Sequence, residues 1–251
     1  ISFVSNPYFL SGRYSGIFWN PNMFSSFTVI AFAILFLKNK VKGNLDYIML
    51  FSFLLMTLAS GSRGVLLALT VAYLLKYGVS RRSIIFGILA IIFTFAISLI
   101  SLETSLNRFV EQSLFNDRIL QYKYAIVSMK NKMLIGYGLD KYAYIDMSLV
   151  PVFLQAKVIG AHNGYLAILT QYGIIFGGLM LYIIFKQSYK LISFFRNSSE
   201  YERTYIFIIT YTLIAAVYET LISGINEFQT ILFWFSLAFL SYSRFSKSDA
   251  I

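Results

Sequence analysis

The chain has 251 residues, of which 58% are hydrophobic and 13% charged, with one histidine, no cysteine and a net charge of +10. Mean hydropathy is +0.69, a value ordinary for a polytopic membrane protein and rare for a soluble domain. The absence of cysteine excludes disulfides and thiolate metal sites, and one histidine among scattered carboxylates argues against zinc, so neither metal nor cofactor is expected. The basic residues lie in short loops between apolar runs, the pattern of membrane orientation signals, so the expected partner is the lipid bilayer and not nucleic acid.

The chain begins at Ile1, and no cleavable signal pattern precedes the first apolar run. The whole of 1–251 reads as a single transmembrane domain, the C-terminal part of a longer protein with earlier spans. A membrane helix needs about 20 mostly apolar residues. Seven stretches qualify in chain order: Met23–Leu37, Leu45–Ala59, Arg63–Gly78, Ser83–Leu102, Asn163–Phe185, Thr204–Ile222 and Gln229–Tyr242. The second and third are joined by Ser60-Gly61-Ser62-Arg63-Gly64, a tight helical hairpin that holds Arg63 at the bilayer edge. Trp19 and Tyr165 at span ends are interfacial anchors. The expected fold is therefore an all-α, polytopic transmembrane helical bundle of about seven spans with one large extracytoplasmic loop.

Orientation follows from the loops. Lys38, Lys40 and Lys42 follow the first span, and Lys76, Arg81 and Arg82 the third. Lys186, Lys190, Arg196 and Arg203 follow the fifth, and Arg244 and Lys247 the seventh. Alternating spans put all of these on one side, which is cytoplasmic. Residues 1–22, the hairpin turn, the loop 103–162 and the turn 224–228 then face outward. In the long loop, Asn116 or Asp117 is placed to cap a helix from Arg118 to about Lys132. Ile119, Tyr122, Ile126 and Met129 give that helix an apolar stripe suited to lying on the membrane or on the bundle. Gly136-Tyr137-Gly138 ends it.

Few residues here are able to carry chemistry. His162 stands where the outer loop meets the fifth span, and imidazole is the side chain that most readily exchanges protons near neutral pH. It reads either as a base at the membrane surface or as an interfacial histidine with no chemical task. Gly173 follows it by eleven positions, close to three helical turns. Gly173 and Gly177 form a small-residue pair that admits a neighbouring helix. The packed face therefore carries His162 at its outer end and points it toward the bundle interior or a cleft, not toward lipid. Asn163 is an N-cap or a residue that orients a substrate hydroxyl. Arg13, Arg63, Arg108 and Arg118 face outward, suited to a lipid-linked diphosphate, to ordinary lipid phosphates or to nearby carboxylates. Glu219 falls inside the sixth span, either as a functional carboxylate or as the counter-ion of an arginine such as Arg63. Glu227, in the last outer turn, reads as solvated.

Four stretches together resemble the O-antigen ligase/polymerase family of bacterial membrane glycosyltransferases. They are Arg13 through Asn22, Ser62-Arg63-Gly64, Leu134 through Tyr142, and His162-Asn163-Gly164-Tyr165-Leu166 with Gln171 through Gly177. The last, with Gly173 eleven residues after His162, is the most specific. Two departures are that Gln171 stands where many members have Glu, and that Met129 stands where some polymerases have a glycine spaced from the arginine at the Arg118 position. The resemblance implies an inverting, metal-independent transfer of glycan from an undecaprenyl-diphosphate-linked oligosaccharide to a sugar hydroxyl, on the extracytoplasmic face of the bacterial cytoplasmic membrane. It implies that His162 is catalytic, acting on the acceptor hydroxyl, and that Arg63, Arg13 and Arg118 handle the diphosphate; Asn163 and Glu219 are expected from their own positions to support them. A polymerase of O-antigen or capsular repeats, partnered by a chain-length regulator, is favoured over a ligase by the Ile/Phe/Tyr/Lys-rich composition of an AT-rich genome. A flippase for the same lipid-linked glycan is the alternative of another class; it would show repeated halves, and none is visible in the sequence.

Overall fold

The computed structural model describes residues 8–10, 13–18, 20–38, 43–81, 85, 116–138, 144–158, 160–196, 200–224 and 227–248. The expected fourth span, Trp19, Arg108, the second half of the Leu134–Tyr142 stretch and the side chain of Arg63 lie outside this description. The chain is mostly helical. It divides into two compact units: Ile1–Ser113 with Ser199–Phe207, and Leu114–Ser198 with Ile208–Ile251.

In the first unit, β1 (Phe9–Leu10) and β2 (Arg13–Tyr14) form a short antiparallel pair, Leu10 opposite Arg13. Helix α1 (Pro21–Phe36) starts because the Asn20 side chain accepts from the Asn22 amide and Pro21 needs no amide partner in the first turn. Helices α2 (Asn44–Ala59) and α3 (Arg63–Tyr77) follow, joined at Gly61, whose φ of +57° suits a residue without a Cβ. Val29, Ala33, Val65, Ala68 and Ala72 are fully buried, and their small volumes let the helices approach closely. At the far end Lys76 of α3 donates to the Phe36 carbonyl and to that of Lys38 at 3.3 Å, placing a cation on the negative end of α1. Leu45, Ile48, Phe51 and Leu55 point outward from α2. Such an outward apolar face suits lipid and not water.

The second unit contains α4 (Asn116–Asn131), two 3₁₀ turns at Met147–Leu149 and Val152–Leu154, α5 (Gly164–Tyr172), a π turn at Gly173–Gly177 and α6 (Gly178–Phe194). Helix α7 (Glu200–Ala215) begins in the first unit and ends in the second, where α8 (Phe228–Ser248) completes the chain. Tyr124, Ala125, Ile145, Val150, Val158, Ala161 and Ala167 form a core under α4 and α5. Gln187 on α6 donates to Ser241 on α8 at 2.8 Å, and Trp234 donates to the Ile222 carbonyl at 3.0 Å.

The apolar stripe of α4 is turned outward: Ile119 and Ile126 are exposed, while Gln121, Tyr124, Ala125 and Ser128 face inward. Polar Gln121 and Ser128 are tolerated there because they donate to the Lys157 carbonyl and accept from the Asp146 amide. Two expectations need correction. The fifth span is interrupted: Gly173, at φ +68°, caps α5 by donating to Leu169. The three-turn argument that linked His162 to Gly173 through an unbroken helix therefore fails. A Cβ on Gly173 would lie 2.2 Å from the Leu134 carbonyl oxygen, so this glycine admits the turn that follows α4, not a neighbouring helix. Finally, α7 ends at Ala215, which leaves Glu219 beyond the helix and not within it. Among the described residues, one helical stretch, Gly164–Phe194, is both long and apolar enough to cross a bilayer; Pro21–Phe36, Asn44–Ala59 and Gly64–Tyr77 are apolar but shorter.

Candidate active site

The end of α7 leaves carbonyls without intrahelical partners, as every helix terminus does. The segment Ala216–Glu219 presents four of them, and each is taken up by groups from α4 or from the start of α5. The Gly164 amide donates to Ala216 at 2.8 Å and to Glu219 at 3.0 Å. The Asn163 side chain and the Tyr122 hydroxyl both donate to Val217, at 2.7 and 2.8 Å. Arg118 Nη1 donates to Tyr218 at 2.6 Å. A cation at a helix C-terminus also meets the negative end of its dipole. Gly164 eases this approach, since a Cβ there would stand 3.3 Å from the Ala216 Cβ and 3.4 Å from the Glu219 carbonyl oxygen, a tight fit.

This backbone arrangement brings three charged or titratable side chains together. Arg118 Nη2 donates to Glu219 Oε1 at 2.9 Å. The other carboxylate oxygen, Oε2, lies 3.8 Å from His162 Nδ1. That is too long for a direct hydrogen bond but close enough for the charge to act on the ring. The arginine that meets Glu219 is therefore Arg118. Burial raises the Glu219 carboxyl, but the polar interaction with His162 and the Arg118 guanidinium outweigh it and hold the group below the usual carboxylate range. Glu219 thus stays ionised at neutral pH. A carboxylate facing Nδ1 favours the tautomer protonated there and leaves the Nε2 lone pair for a proton. His162 keeps 36% of its side chain exposed, so a substrate can reach it. Its backbone φ of +40° is unusual for a residue with a Cβ. Such strain persists only where the surroundings enforce it, and here the bonds of Asn163 and Gly164 hold the junction. Asn163 also caps α5, its side chain accepting from the Leu166 amide at 2.9 Å.

Residues 48–183, more than half of the chain, match the family described as O-antigen ligase. The chain belongs to the O-antigen ligase family. No curated protein matches it. Membership carries, at the level of the family, a membrane location and glycosyltransferase-type chemistry on lipid-linked glycans.

Within this O-antigen ligase family member, His162, Asn163, Arg118 and Glu219 meet in the second unit. Arg13 belongs to the first unit and is buried at 9% exposure. Its Nε donates to the Ser60 carbonyl at 2.8 Å and its Nη2 to Asn22 Oδ1 at 2.5 Å. It clamps β2 and the start of α1 to the turn that leads into Arg63. Glu227 is half-buried, not freely solvated, and burial together with the negative charge of Glu219 raises its carboxyl. Sequence reasoning missed Tyr122 as a member of the site. The available signal was its spacing: four residues after Arg118, it shares that residue's helix face.

Proposed function

We propose that the chain is the transferring part of a membrane glycosyltransferase that polymerises lipid-linked oligosaccharide repeats, taking glycan from undecaprenyl diphosphate to a sugar hydroxyl on the outer face of the cytoplasmic membrane. The observation that carries the proposal is the Arg118–Glu219–His162 group in a chain of the O-antigen ligase family. The acceptor oxygen attacks the anomeric carbon with inversion. The bond from that carbon to the diphosphate oxygen breaks, its electron pair leaves with the diphosphate, and the hydroxyl proton passes to His162 Nε2. Arg118 keeps 26% exposure and has further N–H donors beyond the two already engaged, so it is suited to meet the departing charge. Arg63 and Arg13 are proposed to serve the diphosphate as well, Arg13 by fixing the turn from which Arg63 starts. No metal enters this scheme.

A His162→Ala variant at normal membrane abundance should lose roughly 10²–10⁴ in transfer rate. Polymer made at the normal rate would refute the base assignment. A ligase is the second reading, favoured by the family's own description. Gene deletion followed by sizing of surface glycan separates the two. Single repeats on the usual anchor mark a polymerase, and full-length chains stranded on the lipid carrier mark a ligase. Lipid-linked repeats held on the cytoplasmic side would mark a flippase.

A further inference from the structure

The segment Met133–Gly138 leaves the end of α4 and lies along the break in the long apolar helix. Met133 accepts from the Ile174 amide at 2.7 Å and Leu134 from Ile175 at 3.3 Å, while the Tyr137 and Gly138 amides donate to Thr170 and Gln171 at 3.0 Å each. Both glycines at the contact are in the left-handed region, Gly136 at φ +72° and Gly173 at +68°. A Cβ on Gly136 would lie 2.4 Å from the Gln171 carbonyl oxygen, so the backbones touch without intervening side chains. The polar groups of the segment are spent inward on the helix break. Its side chains point the other way: Met133, Leu134 and Ile135 are 49%, 62% and 68% exposed. Three consecutive exposed apolar residues on a fixed backbone are unfavourable in water.

Their neighbours identify what covers them. The apolar surface continues down the spanning helix through the exposed Ile175, Phe176, Leu179 and Ile183. It also continues along α4, where Ile119 and Ile126 are exposed seven residues apart on the stripe that leads to Met133. Exposed Lys130 and Lys132 immediately precede the segment; the Lys132 ammonium lies over the Tyr137 ring, 4.8 Å from its centroid, which leaves Lys130 open to an anionic lipid phosphate. We infer that Met133-Leu134-Ile135 is a membrane wedge, its side chains seated among the acyl chains of the leaflet nearer His162, with Lys130 at anionic headgroups. The wedge meets the spanning helix at Gly173, so α5 separates it from His162 by about 14 Å of helix. The wedge thus fixes the depth of the membrane relative to the base. The inference rests on the chain spanning a bilayer and does not depend on which glycan transfer it performs.

Residues 1–251 have no native cysteine, so in protein whose remaining cysteines, where present, are replaced by serine, a single introduced thiol carries a unique probe. Leu134→Cys and Lys157→Cys, each labelled with a polarity-sensitive fluorophore, are compared in full-length protein reconstituted into phosphatidylethanolamine–phosphatidylglycerol vesicles. Lys157 lies on the side that the buried face of α4 covers, away from the exposed stripe. The Leu134 probe should emit at shorter wavelength, lose intensity to nitroxide-labelled lipid and resist aqueous iodide; the Lys157 probe should respond to iodide alone. Iodide quenching of the Leu134 probe equal to that at Lys157 would overturn the wedge. So would protection from both quenchers, which would mean that protein covers the segment. Glycan transfer enters neither readout, so the wedge and the proposed function fail independently.

Discussion

Arg13 and Arg118 look alike in the sequence, outward arginines beside apolar helices, yet the fold uses them differently. Arg13 is buried and makes bonds to a backbone carbonyl and an amide oxygen. Arg118 is about a quarter exposed and pairs with a carboxylate that also faces the only histidine. An arginine satisfied by neutral oxygens inside a fold holds chain segments in place. An arginine partly open to solvent, bound to a carboxylate shared with an imidazole, has both an organising role and further donors for a ligand. The difference lies in the acceptors and the exposure, neither of which the residue's own identity reveals.

The comparison can be broken most directly at Arg118. Arg118→Ala should lower transfer about 10²- to 10³-fold, as loss of a transition-state charge partner does. Arg118→Lys should recover only part of this, because a single ammonium cannot hold the Tyr218 carbonyl and Glu219 together. Initial rates on purified lipid-linked substrate would show it, and full recovery by lysine would reduce Arg118 to a point charge. Arg13→Ala should act on folding instead. It strands the buried Ser60 carbonyl and takes the charged donor from the part-buried Asn22 amide oxygen, and two bonds to a charged donor are worth about 3 kcal/mol or more. The expected result is a lower unfolding temperature in detergent. An unchanged midpoint would contradict the clamp.

Glu219→Gln tests the carboxylate that separates the two cases. Transfer should fall about tenfold, roughly 1.4 kcal/mol in the barrier, because His162 loses the charge that orients it while the shape is kept. The pH dependence of stability follows from the direction of the shift. The folded carboxyl is held below its unfolded value, so its contribution is fully present above the unfolded value and is lost as pH falls through the folded one. Glu227 is shifted the other way, so its protonated form favours folding at low pH, and this opposes the trend. The difference between wild type and Glu219→Gln carries the first effect together with the part of the Glu227 shift that the Glu219 charge causes, and both vanish once Glu219 is protonated: the two midpoints should converge as the medium is acidified. A gap that persists at acid pH would show that Glu219 acts without its charge.

The helices of the first unit were legible because punctuation and hydropathy agree: Pro21, Gly61 and Gly78 mark ends that α1, α2 and α3 respect to within about two residues. The break at Gly173 was not, since apolar residues run on through Ile174, Ile175 and Phe176 and periodicity carries no information about the sign of φ. The end of α7 was hidden in the same way by Ala216 and Val217. The inward face of α4 was not legible from hydropathy, because hydrogen bonds to Lys157 and Asp146 make polar Gln121 and Ser128 acceptable inside. His162, Asn163, Arg118 and Glu219 were each visible as chemically unusual residues. Their meeting was not, because Arg118 and Glu219 are 101 positions apart and come together only through the unpaired carbonyls at the end of a helix.

The smallest of these effects probes that last point. Asn163 serves two structures at once: its carbonyl oxygen caps α5 through Leu166, and its amide nitrogen holds Val217. Asn163→Asp keeps the cap and removes the donor, whereas Asn163→Ala removes both. Loss of an N-cap costs about 1 kcal/mol, so the alanine variant should be destabilised by at least that much. The aspartate variant should keep the helix start but place a negative charge against the Val217 carbonyl, beside Glu219. If Asn163 matters mainly as a cap, aspartate will behave like wild type in both stability and transfer. If it matters because it ties the end of α7 to the histidine junction, aspartate will lose transfer while α5 remains intact by amide hydrogen exchange. The bonds to Ala216, Val217, Tyr218 and Glu219 come from four different residues converging on one helix end. The second outcome is therefore expected, with the loss in kcat and not in KM, because what moves is the position of the base.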